Sequence, residues 1–391
     1  MGAGGEAGAS DSRSYAIDAT DAVDAGEDVG FRSGAVVLRE YGLLKVHGAD
    51  AATFLQAQLT SDVAALADGE VRLAGYCSVK GRLTASFWVW RDTAAQTFWL
   101  ACSRDIAAPI AKRLSMFVLR AKAKVEDASE AVALLGLLRV EGDERAPPTG
   151  SASDLALPAV VVSGPLAAAL RPAGLGKTAH FAAHATGDAA APVRIHRALR
   201  PVAAATLEET VQGLARAGTS VLPMSAWRRL EVLSGIARIE AGNQELFVPQ
   251  MVNFELVDGV NFRKGCYPGQ EVVARSQYLG KLKRRMFLGL GAGEPPSSGS
   301  DVHGADSGEP VGQVVLAAPL GDGSRFVALF ESVISAVPPE TYVGQAGAPD
   351  EPAPALRIGP SPITRLPLPY PLPSPTPGPA APAARAPDVG T

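Results

Sequence analysis

The sequence predicts an α+β fold, and three observations support this prediction. Short apolar runs typical of strands and amphipathic segments with helical spacing both occur, but they do not alternate strictly as in a parallel βαβ protein. Residues 284–330 are typical of a small all-β module with Gly-rich turns. The chain has 391 residues, of which 47% are hydrophobic, so it can form a substantial core in two or three domains.

The first half of the chain supplies most of the evidence for mixed secondary structure. Residues 35–38 and 43–46 are short apolar runs, which we interpret as a β-hairpin. A helix is predicted over residues 50–59, with Asp50 as its N-cap. Aromatic-rich residues 87–90 and the similar run 97–102 predict strands, and a helix is predicted over 104–117.

The second half continues this mixture after a weakly patterned stretch. Residues 142–194 predict variable loops and short elements, and the GLGKT sequence at 174–178 lacks the first glycine of a phosphate-binding loop. A helix is predicted over residues 224–235, with Ser225 as its cap and Gly235 as its stop. The predicted strands that follow are residues 284–290, 311–316 and 325–330.

Both ends of the chain differ in composition from the middle. Residues 1–30 carry seven acidic residues against one base, and we expect a disordered acidic leader. Of the 31 prolines, 16 lie between Pro338 and Pro387, and residues 372–391 predict a Pro-rich disordered tail.

Several protein classes are excluded by composition. The three cysteines (Cys77, Cys102 and Cys266) are too few and too far apart for a disulfide scaffold, which is typical of a reducing compartment. They share no Cys-x-x-Cys spacing, so no metal site is predicted. The longest uncharged stretch is too short to span a bilayer, and the N-terminus resembles neither a signal peptide nor a mitochondrial presequence. We therefore expect a cytoplasmic protein that does not bind membranes.

The most informative stretch is residues 261–280, NFRKGCYPGQEVVARSQYLG. A helix is predicted from about residue 269 to residue 279, with Gly280 as its stop. Cys266 lies just before the N-terminus of this helix, with Arg263 and Lys264 beside it. A helix dipole and nearby cations both stabilise a thiolate, so Cys266 is a candidate reactive thiol. The alternative is an inert, half-buried core cysteine.

Charge is concentrated around the same stretch. Residues 261–285 carry seven bases and one acid, a net charge of +6 in a chain of net charge −4. This predicts an anion-attracting surface for a polyglutamate tail, a phosphate backbone or an acidic partner, with a solvated helix-to-strand corner as the alternative. The seven bases are Arg263, Lys264, Arg275, Lys281, Lys283, Arg284 and Arg285.

The KGCYPGQE sequence at 264–271, together with Arg275, resembles the signature of the YgfZ family. These are folate-binding proteins related to the glycine-cleavage aminomethyltransferase and involved in iron–sulfur cluster maintenance and tRNA modification. The resemblance covers roughly residues 31–371. The other segments of this chain that resemble the family are residues 247–253 and 366–370 and, more weakly, residues 54–62 and 80–81.

This resemblance implies a ring-like, three-part α+β fold around a central channel. Residues 31–282 would form an aminomethyltransferase-like folate-binding region of two subdomains, and residues 283–371 a small C-terminal β-barrel. Cys266 would be the family's key cysteine, and tetrahydrofolate or another folate, with or without a polyglutamate tail, the cofactor. The other motif positions would belong to the cofactor site: Lys264, Gly265, Tyr267, Gly269, Gln270, Glu271 and Arg275.

Two departures from the related aminomethyltransferases bear on activity. Those relatives carry acidic residues, one of them a folate contact, shortly after the glycine that matches Gly81, whereas residues 81–86 here read GRLTAS. They also have a glutamate directly before an Ala-Gly pair that contacts the pterin, where this chain has Leu233. A chemistry that needs an acid at those positions is therefore not expected.

Three hypotheses on function follow. The first is a folate-binding protein, not an aminomethyltransferase, that supports assembly or repair of iron–sulfur proteins through Cys266 and has iron–sulfur client or assembly proteins as partners. The second is a tetrahydrofolate-dependent one-carbon transferase. The third is a tRNA-binding module that uses the basic stretch, which we rank last because few aromatic residues lie near it.

Overall fold

The computed structural model describes residues 31–143, 147, 154–162, 193–278, 282–304, 308–321, 323–337 and 356–373. In this part of the chain, two five-stranded sheets and a closed six-stranded barrel combine with α-helices, which confirms the α+β class. None of the described helices is long and apolar enough to cross a membrane.

The first sheet is assembled from distant parts of the chain. Its strand order is β10-β1-β7-β9-β8, with β1 parallel to β10 and antiparallel to β7. Strand β8 lies within residues 142–194, for which variable loops and short elements were predicted, and it pairs with β9. The strands are β1 (Gly34–Val37), β7 (Val132–Val140), β8 (Leu155–Val162), β9 (Val193–Ala203) and β10 (Val221–Leu222).

The second sheet has the order β3-β4-β5-β2-β6, and it corrects one prediction. The hairpin predicted from residues 35–38 and 43–46 is wrong, because β1 belongs to the first sheet whereas β2 pairs with β5 and β6. The short connection between them takes the chain from one sheet to the other. The strands are β2 (Tyr41–His47), β3 (Val71–Cys77), β4 (Leu83–Asp92), β5 (Thr97–Ser103) and β6 (Lys124–Asp127).

Four of the five described helices lie where the sequence predicts them, whereas α3 was not predicted. Asp50 occupies the predicted N-cap position of α1, but its side chain makes no cap hydrogen bond and accepts from the backbone N–H of Lys122 at 2.7 Å. The predicted cap of α4 is wrong. Pro223 precedes α4, and Ser225 lies inside it. The described helices are α1 (Ala51–Gln56), α2 (Arg104–Met116), α3 (Leu207–Arg216), α4 (Met224–Leu233) and α5 (Gln270–Tyr278).

The barrel confirms the all-β character of the C-terminal section. Strand β11 pairs with β14 over its whole length and with β16 on its other side, and the strands close in the order β11-β14-β13-β12-β15-β16. They are β11 (Arg284–Ala292), β12 (Asp301–His303), β13 (Pro310–Leu320), β14 (Arg325–Val333), β15 (Leu356–Ile358) and β16 (Ser361–Leu366).

One hydrophobic core joins the sheets to the barrel. It contains Trp227 and Leu233 of α4, both with no exposed surface, together with side chains of both sheets and of β11, β13 and β14. Helix α4 is therefore the element around which the three β units pack. The predicted leader, the 174–178 sequence, Gly280 and most of the predicted tail lie outside the described residues.

Candidate functional site

The motif segment is attached to the beginning of the folded region. The backbone N–H of Asn261 donates to the carbonyl of Thr60 at 2.9 Å. The Thr60 hydroxyl donates to the carbonyl of Gly259 at 2.6 Å and accepts from the backbone N–H of Gly75 at 2.7 Å. Thr60 is fully buried, so this side chain joins three separate parts of the chain. It lies in residues 54–62, the stretch with the weaker family resemblance.

Lys264 forms a second attachment to the same region. Its Nζ donates to the carbonyl of Leu59 at 2.6 Å and also to the carbonyl of Gln56, the last residue of α1. The ammonium lies 5.1 Å from the centre of the Tyr267 ring. Burial lowers the pKa of Lys264 to about 8, although the charge of Asp62 opposes this shift. Lys264 therefore faces inward and anchors the motif turn.

Tyr267 is the buried side chain of this turn. Burial raises its pKa, and the charge of Cys77 adds to this effect. Its hydroxyl has no hydrogen-bond partner among the described residues.

Gly269 is required by a close approach of two backbone segments. It has a φ of +78°, and a Cβ built on it would lie 2.3 Å from the carbonyl oxygen of Ser78 and 2.7 Å from Gly81 Cα. Gly81 has a φ of +71°, and a Cβ there would lie 2.8 Å from Val272 Cβ. A Cβ at Gly269 would overlap backbone atoms, and a Cβ at Gly81 would overlap the Val272 side chain, at positive φ values that favour glycine at both positions. The turn that contains Lys80 therefore packs against the N-terminus of α5.

Cys266 is exposed, whereas Cys77 and Cys102 are buried. Burial raises the pKa of Cys77 to about 12 and also raises that of Cys102, so neither forms a thiolate readily. The alternative of a half-buried core cysteine is thus wrong for Cys266. Within the described ranges, no three His, Cys, Asp or Glu side chains are grouped as metal ligands would be.

The remaining motif residues do not converge on one pocket. Glu271 and Arg275 form an exposed i,i+4 ion pair, with 2.9 Å between Oε1 and Nη2. Such a pair contributes little to stability. Gly265 is exposed, and Gln270 is a half-buried residue whose backbone N–H donates to the carbonyl of Tyr267 at 3.2 Å.

The basic stretch forms a smaller charged surface than its composition predicts. Arg285 is buried and pairs with the carboxylate of Glu255, and Arg284 pairs with the buried Glu331 at 2.8 Å. Their charges are compensated by acidic residues from outside the stretch, so these two arginines add little to the predicted anion-attracting surface. Lys281 lies outside the described residues.

A second candidate site is a narrow cavity between the two sheets, next to α4. Its free space is that of roughly one or two water molecules. Strand β4 contributes Ser86 to it. The lining residues are Tyr41, Leu73, Ser86, Phe87, Trp88, Ala101, Cys102, Arg197, Glu231, Ser234, Ile236, Ala237 and Arg238.

Three charged side chains at this cavity are buried and incompletely hydrogen-bonded: Arg197, Glu231 and Arg238. Glu231 accepts from the hydroxyl of Tyr41 through Oε1, but its Oε2 has no hydrogen-bond partner among the described residues. The same holds for Nε of Arg197 and for Nε and Nη1 of Arg238. Burial raises the pKa of Glu231, although the charge of Arg238 opposes this shift, and burial lowers the pKa of Arg197.

Arg238 connects this cavity to an ion-pair network. Its Nη2 donates to Glu40 at 2.7 Å and to Glu240 at 3.0 Å, and lies 3.6 Å from Glu231 Oε2. Arg228 pairs with the same Glu240 at 2.8 Å. Arg238 thus links the residues that line the cavity to Glu40, Glu240 and Arg228 through ion pairs.

The sequence prediction missed Glu231, although a signal was present. Trp227, Leu230 and Ser234 mark one face of α4 by helical spacing, and Glu231 lies within that face. A charged residue on the buried face of a helix requires a partner or a ligand.

Comparison with known sequences places these features in a wider context. No family model matches the chain. The chain is 30% identical over 302 residues to the tRNA-modifying protein YgfZ of Sodalis glossinidius (strain morsitans), covering 75% of this chain and 83% of that protein. It is 31% identical over 294 residues to the protein of the same name from Edwardsiella ictaluri (strain 93-146), covering 73% and 80%.

Among solved structures, the glycine cleavage system aminomethyltransferase T from Bartonella henselae is similar in fold. The TM-score is 0.52 at 15% sequence identity, and the match covers 78% of this chain and 80% of that one. At this identity the likeness shows the fold alone, so the chain has an aminomethyltransferase-like fold.

Proposed function

The chain belongs to the YgfZ family, and on this premise we propose that it is a folate-binding protein that supports assembly or repair of iron–sulfur cluster proteins and, through them, tRNA modification. Its partners are then a folate and iron–sulfur client or assembly proteins. Cys266 acts as the reactive thiol, in redox exchange or in transient contact with a cluster.

The observation that carries this proposal is the exposure of Cys266 on a turn that is attached on both sides. Lys264 holds the turn to the carbonyls of Gln56 and Leu59, and Gly269 packs against residues 78–81. A thiol that reacts with another protein must be accessible and held in position, and Cys266 meets both requirements.

The chemistry of the cavity fits a folate head group, but its free space is smaller than a pteridine ring. Glu231 Oε2, Arg197 Nε and two guanidinium nitrogens of Arg238 make no hydrogen bond among the described residues, although Arg238 Nη2 lies 3.6 Å from Glu231 Oε2. Acceptors and donors of these kinds match those of a 2-amino-4-oxopteridine. A bound tetrahydrofolate supplies a reduced pteridine ring at this position.

A one-carbon transferase has less support. Residues 81–86 contain no carboxylate, and the cavity-lining Ser86 accepts a hydrogen bond from the backbone N–H of Ile239 at 2.9 Å. Sustained product formation from tetrahydrofolate and an aminomethyl donor would contradict our preference for a non-enzymatic role.

Direct tRNA binding through the basic stretch also has less support, because Arg284 and Arg285 are engaged within the protein. Steeply salt-dependent tRNA binding that weakens when Lys281 and Lys283 are neutralised would restore this alternative.

The proposal is tested by complementation of a strain that lacks its own protein of this family. We expect Cys266→Ser to fail to restore iron–sulfur enzyme activity and the modified nucleosides of tRNA, since a hydroxyl replaces the thiol at an exposed position. The control is Cys77→Ala, which removes a buried thiol that does not line the cavity and should restore both. Full restoration by Cys266→Ser, at equal protein level, would overturn the proposed role of the thiol.

A further inference from the structure

Large apolar side chains are exposed together at the C-terminal end of α2. Met116, Phe117 and Leu119 are 62%, 48% and 85% exposed. Their neighbours Leu114 and Val118, by contrast, pack into the hydrophobic core between the second sheet and its helices. Single exposed apolar residues are common on protein surfaces, whereas a group of them marks an interaction surface.

The backbone of this segment is held in place. The backbone N–H of Lys122 donates to the carboxylate of Asp50 at 2.7 Å, and the Lys122 carbonyl accepts from the backbone N–H of Asp50 at 3.1 Å. At the other end, the backbone N–H of Phe117 donates to the carbonyl of Leu114 at 3.0 Å. A segment that is already ordered loses less conformational entropy when it binds a partner.

Positive charge surrounds the exposed apolar side chains. Residues 112–124 contain five bases and no acid, and two of these bases pair with glutamates. The other three are exposed and form no ion pair with another described residue: Lys112, Arg120 and Lys122. We call these three bases, together with Met116, Phe117 and Leu119, the α2 surface. Its charge and apolar character fit a segment in which acidic and apolar residues are interspersed.

The same chain contains a segment of this composition. Residues 15–29 read YAIDATDAVDAGEDV, with five acids, no base and several apolar side chains between the acids. They end shortly before Phe31, the first described residue. Residues 18–30 can extend over up to about 40 Å, roughly twice the radius of gyration of a protein of this size. Because the segment is tethered, its effective concentration exceeds that of a free acidic partner.

We propose that residues 15–29 bind the α2 surface of their own molecule. Their apolar side chains cover the apolar side chains of the surface, and their carboxylates lie beside its three bases. This contact goes beyond the proposed function, because it requires neither a folate nor Cys266. An acidic segment of another protein would have to displace residues 15–29 to bind at this surface.

The test is carbodiimide cross-linking of the full chain at low ionic strength, which joins a carboxylate to a lysine that it contacts. Peptide mapping by mass spectrometry locates the bonds. We expect carboxylates of residues 18–28 to couple to Lys112 and Lys122, with a several-fold lower yield at about 0.5 M salt, because salt screens the charges. In an equal mixture of isotope-labelled and unlabelled protein, the bonds should join residues of the same molecule.

A double variant tests the apolar part of the contact. Phe117→Ser combined with Leu119→Ser should lower the cross-linking yield about 5- to 10-fold, since apolar area is no longer buried. Both side chains are exposed, so the fold depends little on them. The matched control is Val79→Ser, which replaces a hydrophobic residue that is 80% exposed on another segment and should leave the yield unchanged.

Several results would overturn the proposal. One is an equal yield at exposed lysines outside the α2 surface, such as Lys80, and another is an unchanged yield in the double variant. Bonds between labelled and unlabelled molecules would assign the surface to a second copy of the chain. Without cross-links, binding to vesicles of anionic lipid that is lost in the double variant would assign it to a membrane.

Discussion

Lys264 and Cys266 are only two residues apart, but their side chains have opposite surroundings. The ammonium of Lys264 is half-buried against the carbonyls of Gln56 and Leu59, whereas Cys266 is exposed. One side chain anchors the turn and the other is presented to solvent. The buried ammonium also makes stability depend on pH, because burial disfavours its charged form.

We expect the stability difference between the wild-type protein and Lys264→Met to change with pH. The pKa of Lys264 falls from 10.5 to about 8 in the folded protein, so the unfolded chain binds more protons between these values. The unfolding free energy of the wild type should therefore rise relative to Lys264→Met as the pH increases through 8 toward 10. Urea denaturation at several pH values measures this, and a constant difference over that window would contradict the burial of the ammonium.

At the scale of elements, the contact between α5 and the turn at residues 78–81 depends on glycine. A Cβ at Gly269 would overlap the backbone of residues 78 and 81, and a Cβ at Gly81 would overlap the Val272 side chain of α5. Two stretches that are separated by almost 190 residues in sequence thereby form one surface beside Cys266.

Gly269→Ala should destabilise the protein by about 3 kcal/mol, from the positive φ together with the overlap with the Ser78 carbonyl. Gly69→Ala is the matched control, because Gly69 has a φ of +74° but nothing within 4 Å of an added Cβ, and it should cost only about 1 kcal/mol. Urea denaturation compares the two variants. If both variants lose the same free energy of unfolding, the overlap with the Ser78 carbonyl does not add to the cost of a side chain at position 269.

At the scale of the whole molecule, the barrel is connected to the sheets through polar contacts around α4. Arg228 Nε donates to the carbonyl of Ala317 at 2.7 Å, and Asn243 Nδ2 donates to that of Val315 at 2.8 Å. After β16, the Tyr370 hydroxyl donates to the carbonyl of Gly235 at 2.6 Å. The end of the described chain is thus attached beside the candidate folate cavity.

Tyr370→Phe should lower the free energy of unfolding by about 1–2 kcal/mol, since the carbonyl of the buried Gly235 loses its donor. Tyr278→Phe removes a hydroxyl from an exposed tyrosine and should change stability by less than about 0.5 kcal/mol. Thermal or urea unfolding measures the stability of both variants. If Tyr370→Phe is as stable as the wild type, the hydrogen bond to Gly235 does not contribute to stability.

The sequence by itself determined several of the local elements and the candidate for the reactive residue. Helical spacing predicted α1 and α2, start and stop residues predicted α4 and α5, and the aromatic-rich runs predicted β4 and β5, because each of these signals lies within one segment. The motif singled out Cys266 in the same way, from neighbours in the chain.

Only the tertiary structure decided which segments meet. It separated β1 from β2, paired Arg284 and Arg285 with distant carboxylates, and brought Glu231, Arg197 and Arg238 to one cavity. The physical reason is that strand pairing, charge compensation and burial of a polar side chain depend on partners far along the chain, which local periodicity does not specify.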